Sequence, residues 1–313
     1  MNKILVTPRS LTKDGHPSLQ RLKDAGYEVI FSTPGIQPDE QELLRLLPDC
    51  VGMLAGVEPI TARVLEAAKT LKVISRNGVG VSNVDCAAAE RLGIKVLITP
   101  GANARGVAEL TMGLILGLAR SISFGDASLK NKKWDRRKGF ELQGKTLGLI
   151  GCGQIGKTVA RLALAFEMRV LAFDPFQDEQ FRPSEQFAYV TLEQVLAAAD
   201  VLSLHCPPQP DKSPLIDAAA IAKMKKGVCL INTARAELLD ENAVRAALDS
   251  GHIAGLAMDV FTTEPPTDWR LAAHPRTVAT AHIGGFTEES VDRAVSMAVD
   301  NLLAALKEQE NRR

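Results

Sequence analysis

Thr146-Leu-Gly-Leu-Ile-Gly151-Cys-Gly153-Gln-Ile-Gly156 is the stretch whose reading decides the fold. A short apolar run of strand character leads into G-x-G-x-x-G and on into a helical run from Lys157 to Glu167. A second strand-like run, Arg169-Val-Leu-Ala-Phe173, ends on Asp174. Each part has a physical task in holding a dinucleotide. Gly151 permits the tight turn, Gly153 lets the backbone approach a pyrophosphate, and Gly156 lets helix and strand pack closely. The helix start offers unpaired N–H groups and the positive end of its dipole to the phosphates. Asp174, about twenty residues beyond the glycines, is placed to accept hydrogen bonds from both hydroxyls of an adenine ribose. Its charge would repel a 2′-phosphate, and Pro175, Phe176 and Gln177 supply no arginine to receive one. The pattern therefore points to NAD rather than NADP. A lone glycine motif is weak; strand, glycines, helix, strand and acid in this order are specific.

The chain of 313 residues is long enough for two domains. Its 37 basic and 37 acidic residues cancel, and no long block of one sign occurs. Nucleic acid and anionic membrane are therefore not expected as partners. The densest basic run, Lys130 to Lys138 with Trp134, reads as a solvated arm or loop. The five cysteines are widely spaced without C-x-x-C, so no metal site and no disulfide framework is expected. Reduced thiols suit a cytoplasmic protein. The N-terminus has too short an apolar run for a signal peptide, and no segment reaches the length of a membrane span.

Strand-like runs at 4–6, 29–31, 52–54, 73–75 and 96–98 alternate with helical stretches at 18–25, 39–47, 61–68 and 84–92. Such alternation implies a parallel sheet with helices on both faces. Thr99-Pro100-Gly101 breaks it, and an apolar helix from about Arg105 to Arg120 reads as a connector between domains. After the polar segment Ser121 to Gln143 a second alternation begins, with strands at 147–150, 170–173, 201–204, 229–232, 255–258 and 277–280. An amphipathic helix from about Glu288 to Lys307 closes the chain.

Three polar residues follow strands of the second half: Arg235, Glu264 and His282. Ligands of open parallel sheets bind beyond the carboxyl ends of the strands, so the three are placed to converge near a nicotinamide. Arg235 can grip a carboxylate through two parallel N–H bonds. His282 can exchange the proton that accompanies hydride transfer. Glu264 could orient the imidazole through its other ring nitrogen and favour the charged ring. Of the other histidines, His252 reads as a helix-end residue, while His205 could line the cofactor cleft without acting on protons. Arg76 and Arg105 are candidates for a substrate phosphate, or equally structural ion partners.

At these residues the chain resembles the D-2-hydroxyacid dehydrogenase family, in its phosphoglycerate-dehydrogenase-like branch. Four segments carry the resemblance: Arg76-Asn-Gly-Val-Gly-Val-Ser-Asn-Val-Asp85, the glycine motif with Asp174, Asn232-Thr-Ala-Arg235, and Asp259-Val-Phe-Thr-Thr-Glu264-Pro with His282-Ile-Gly-Gly285. It implies an α/β protein of two doubly wound parallel-sheet domains. A Rossmann NAD domain, about 102–284, would be inserted into a flavodoxin-like substrate domain formed by 1–101 and 285–313. It implies a dimerisation arm at about 121–143 and hence a homodimer. Arg235 would bind the carboxylate of a 2-hydroxy or 2-oxo acid, with His282 as proton donor or acceptor and Glu264 as its partner. Gln154 and Ile155 would meet the pyrophosphate. Cys206, Pro207, Thr233, Ala234, Asp259 and Gly284 would flank the ribose and nicotinamide, Asp259 touching the carboxamide. Arg76, Val79, Gly80 and Asn103 would face the substrate. Ala236 and Glu237 stand where the family often has glycine after the arginine, and Ser82 stands where an acid is common. Such a chain is expected to be an NAD-dependent D-2-hydroxyacid dehydrogenase of phosphoglycerate-dehydrogenase type. The alternatives are a hydroxypyruvate or glyoxylate reductase of the same family and an NAD-sensing, corepressor-like binding protein.

Overall fold

In the computed structural model, which describes residues 2–310, the chain forms two compact units. The first comprises Met1–Asn103 and Glu288–Arg313, the second Ala104–Thr287.

The first unit holds strands β1 (Lys3–Val6), β2 (Glu28–Phe31), β3 (Cys50–Ala55), β4 (Val73–Arg76) and β5 (Lys95–Leu97). All pair in parallel, in the order β2-β1-β3-β4-β5. Successive side chains of a strand point to opposite faces, and β1 shows the consequence. Ile4 and Val6 pack with Leu54, Val299 and Leu302 on one face, whereas Leu5 packs with Met53 and Ile74 on the other. Both faces are covered, so β3 is apolar and buried along its whole length. The helix Glu288–Glu310 covers one face, and it approaches so closely that a side chain at Gly52 would crowd Leu302 and Leu306. Helix starts are set locally: the side chains of Asp39, Thr61 and Asp85 each accept a first-turn backbone N–H.

The second unit holds β6 (Thr146–Ile150), β7 (Arg169–Phe173), β8 (Phe187–Tyr189), β9 (Val201–Leu204), β10 (Val228–Asn232), β11 (Ile253–Met258) and β12 (Thr277–Ala279). Their order is β12-β11-β10-β9-β6-β7-β8, all parallel, which is the doubly wound arrangement of dinucleotide-binding sheets with one further strand. The order reverses between β6 and β9. Gly148 of β6 faces the helix Leu192–Ala198, and a Cβ there would come within 2.8 Å of Val195 and Ala199. Thr191 and Gln194 close a reciprocal capping box at the start of that helix.

Four elements differ from the sequence reading, the first a helix, Arg9–Asp14, ahead of the stretch read as helical from 18. The short edge strand β8 lacks a distinct apolar alternation but is held by edge-to-face contacts of Phe187 with Phe181 and Tyr189. The segment after Arg120 contains a helix, Ile122–Lys130. The apolar helix Ala104–Ala119 belongs to the second unit's own layer, packed on the helix Gln154–Ala165 and the strands β10 to β12, rather than serving only as a connector. Among the described residues no single helix is long and apolar enough to cross a membrane.

Candidate active site

The turn between β6 and the helix Gln154–Ala165 has room only for backbone. Gly151 adopts φ +94°, and a Cβ on it would lie 2.5 Å from the carbonyl of His205, at the end of β9. A Cβ on Gly156 would lie 2.3 Å from the Gly151 oxygen. These two glycines bring helix, β6 and β9 together at the point where the strand order reverses. Gly153 is different: a Cβ there would meet nothing within 4 Å. It is the N-cap of the helix, and no side chain caps the first turn. The N–H groups at Gln154 and Ile155 thus open onto free space beside a helix N-terminus, the arrangement a pyrophosphate requires. Asp174, after β7, accepts the Cys152 N–H at 2.7 Å with Oδ2 and the Phe176 N–H at 2.8 Å with Oδ1. Each carboxylate oxygen keeps a second acceptor site for a ribose hydroxyl. Turn, helix start and acid therefore fit an NAD molecule.

The catalytic candidates lie at other strand ends of this unit. The Nδ1 of His282 is 2.9 and 2.7 Å from the two carboxylate oxygens of Glu264, whose Oε1 also accepts the Phe261 N–H at 3.1 Å. With Nδ1 facing a carboxylate, the ring places its proton there and leaves Nε2 for a substrate. His282 has φ +51°, an unfavourable setting for a non-glycine residue. Asp259 holds it there. Its carboxylate is buried and accepts from Thr280 Oγ1 at 2.6 Å and from the N–H groups of Ile283 and Gly284 at 2.8 Å. Both oxygens are thus engaged in the turn that carries His282, a task no spacing in the sequence indicated.

Arg235 follows β10 and is exposed; Nη1 donates to the Ala234 carbonyl at 2.6 Å. Asn232 fixes this turn, its amide donating to the Arg235 carbonyl at 2.8 Å while its oxygen accepts the Ala234 N–H at 3.0 Å. Ala236 enters a short 3-10 helix without positive φ, and Glu237 is exposed. The Thr233 hydroxyl is occupied, bonded to Thr111 at 3.0 Å. Cys206 and Pro207 follow β9, and burial raises the Cys206 thiol to about 11, so it stays protonated near neutrality. His205 is bonded through Nε2 to Ser203 at 2.9 Å, and burial lowers it to about 3. It is a neutral packing residue rather than a proton carrier.

The other candidates are placed as follows. His252 interacts with the Met224 carbonyl at 3.2 Å, and the helix before it is capped by Gly251 instead. Arg105 pairs with Glu109 on its own helix. In the first unit, Val79 and Gly80 lie on the loop after β4, Val79 exposed, and Asn103 is half-buried at the end of the unit's first segment. Arg76 is buried, with Nε donating to the Gly80 carbonyl at 2.9 Å and Nη1 to the carbonyls of Ala55 and Gly56. Among the described residues no cluster of His, Cys, Asp and Glu suits a metal ion.

The family model described as D-isomer specific 2-hydroxyacid dehydrogenase, NAD binding domain, matches residues 112–284. The hydroxypyruvate reductase of Thermotoga maritima is 43% identical over 274 residues, covering 86% of this chain and 89% of that protein. The D-3-phosphoglycerate dehydrogenase of Rattus norvegicus is 40% identical over 275 residues, which is 87% of this chain but 51% of that protein. The chain thus spans about half the length of that relative. The structure of D-lactate dehydrogenase from Aquifex aeolicus, complexed with NAD and lactic acid, superposes with a TM-score of 0.83 at 29% identity, covering 99% of this chain and 97% of that one. The chain belongs to the D-isomer specific 2-hydroxyacid dehydrogenase family, whose members are NAD-dependent oxidoreductases acting on the CH–OH group of 2-hydroxy acids.

Proposed function

We propose that this enzyme interconverts a small D-2-hydroxy acid and its 2-oxo acid, with His282 exchanging the proton and Arg235 holding the substrate carboxylate. The observation that carries the reading is the His282–Glu264 pair, held in a strained turn by Asp259. NAD, when bound, supplies the acceptor or donor of hydride. The chain supplies the rest. Arg235, permanently charged, fixes the acid end and polarises the adjacent carbonyl. His282 Nε2 gives a proton to the forming alkoxide on reduction, and takes it back on oxidation. Glu264 orients the ring and balances the charge of the imidazolium. The residues at Gly151 to Gly156 bind the pyrophosphate and Asp174 the adenine ribose. Three-carbon acids of the hydroxypyruvate type are the favoured substrates, because the hydroxypyruvate reductase is matched over most of its length. The five unpaired thiols suit a reducing compartment such as the cytoplasm.

Segment 121–143 is proposed to mediate a homodimer. It exposes Ile122, Leu129 and Trp134, the last 82% accessible, a concentration of apolar surface that a lone chain would not be expected to keep in water.

Three outcomes are expected. His282→Ala should lower kcat by about 10²–10⁴-fold while NADH affinity, followed by fluorescence titration, stays near the wild-type value; unchanged turnover would remove His282 from the chemistry. Asp174→Asn should narrow the preference for NADH over NADPH by about tenfold, the scale of one charge-assisted hydrogen bond. An unaltered ratio in the same titration would show that Asp174 does not select the cofactor. Light scattering should give twice the chain mass for the wild type, and Trp134→Glu should shift it toward the monomer; a monomeric wild type would refute the dimer.

A further inference from the structure

The ligand edge of an open parallel sheet is its carboxyl end, and in the order β2-β1-β3-β4-β5 the crevice lies between β1 and β3. A carboxylate is buried there. Glu58, three residues beyond β3, is 1% exposed. Its Oε1 accepts the Gly56 N–H at 2.9 Å and the hydroxyl of Thr7, the residue that follows β1. Its Oε2 lies over Gly56 so closely that a Cβ on that glycine would come within 2.7 Å of it. The Glu58 carbonyl accepts from Asn83 Nδ2 at 2.7 Å. Arg76, 5% exposed at the end of β4, completes the cluster from the other side. It donates to the backbone of the turn after β3, at Ala55 and Gly56, and to Gly80 in the loop after β4. Burial works against the charged guanidinium, and the Glu58 carboxylate opposes that loss.

We infer that Glu58 and Arg76 are positioning residues: they tie the ends of β1, β3 and β4 together and so fix the Val79–Gly80 loop at the ligand edge of this sheet, without either touching the ligand. The inference rests on the dehydrogenase reading, under which a ligand at that edge is the 2-oxo acid. The two converge on one residue, Glu58 accepting the Gly56 N–H while Arg76 donates to the Gly56 carbonyl. The two therefore act as one device. Gly80 is its output, since among the described residues the side-chain bond to that carbonyl comes from Arg76 Nε. Arg76 directs Nε and Nη1 at main-chain carbonyls.

The test uses the full chain and two substrates that differ by one phosphoryl group, hydroxypyruvate and phosphohydroxypyruvate, with NADH oxidation followed at 340 nm. Glu58→Ala and Arg76→Lys should each raise KM by about tenfold, a modest displacement of a substrate-facing loop, and by the same factor for both acids. The NADH dissociation constant should not change. Glu58→Gln keeps an acceptor oxygen for Gly56 and Thr7, so it should return KM toward the wild-type value; it also supplies a readout should the alanine variant fail to fold. A KM effect confined to the phosphorylated acid would overturn the inference and make Arg76 a direct ligand. Folded variants with wild-type KM for both acids would overturn it as well. A wild-type protein that oxidises NADH with no 2-oxo acid would instead refute the dehydrogenase reading, and the inference with it.

Discussion

The second unit depends on one close approach, backbone against backbone, at Gly151 and Gly156. A single added carbon at either residue would lie 2.5 Å or less from a carbonyl group. Real Cβ atoms do not tolerate such distances, and small shifts cannot absorb them in a close-packed interior. The consequence is geometric. The helix Gln154–Ala165 is drawn onto β6, β6 is drawn beside the end of β9, and the helix N-terminus is left aimed at open space. Asp174 secures the turn from β7 by accepting the Cys152 N–H. The helix start proposed for the pyrophosphate and the carboxylate proposed for the ribose are thereby held by the fold itself, which lowers the ordering cost of binding.

A second constraint of the same kind operates at the chemical end. His282 sits in a left-handed conformation, which persists only when its surroundings over-determine it. Asp259 does this with three accepted hydrogen bonds, and Glu264 fixes the ring from outside. Asn232 plays the corresponding part beneath Arg235. In each case a buried polar side chain holds the backbone of the turn, and the side chain proposed to act is left exposed. Buried polar groups with every bond made are rigid, which is what proton transfer over hydrogen-bond distances demands.

Much of this was legible in the sequence, and the parts that were not have a common cause. The glycine motif could be read because the requirement for no side chain is local. The strand β1 could be read because a short run of consecutive apolar residues is a local signal of a strand covered on both faces. Arg235, Glu264 and His282 could be read because each follows a strand, and carboxyl ends are where such sheets bind ligands. Asp259 was legible as a site residue but not in its task, since its partners lie more than twenty residues away. That Arg76 is buried against the end of β3 could not be inferred from its neighbours in the chain. Glu58 gave no signal at all: an isolated glutamate before a proline is unremarkable until Thr7 and Gly56 are found beside it. The strand β8 escaped notice because Phe187-Ala-Tyr189 follows a polar, proline-containing loop and its ring contacts with Phe181 are set by the fold.

The most direct test of the account is chiral analysis of the product formed from hydroxypyruvate and NADH by the purified protein. The account predicts the D-2-hydroxy acid alone, in amounts equal to the NADH consumed. An L product, or NADH bound without consumption across a panel of small 2-oxo acids, would contradict it.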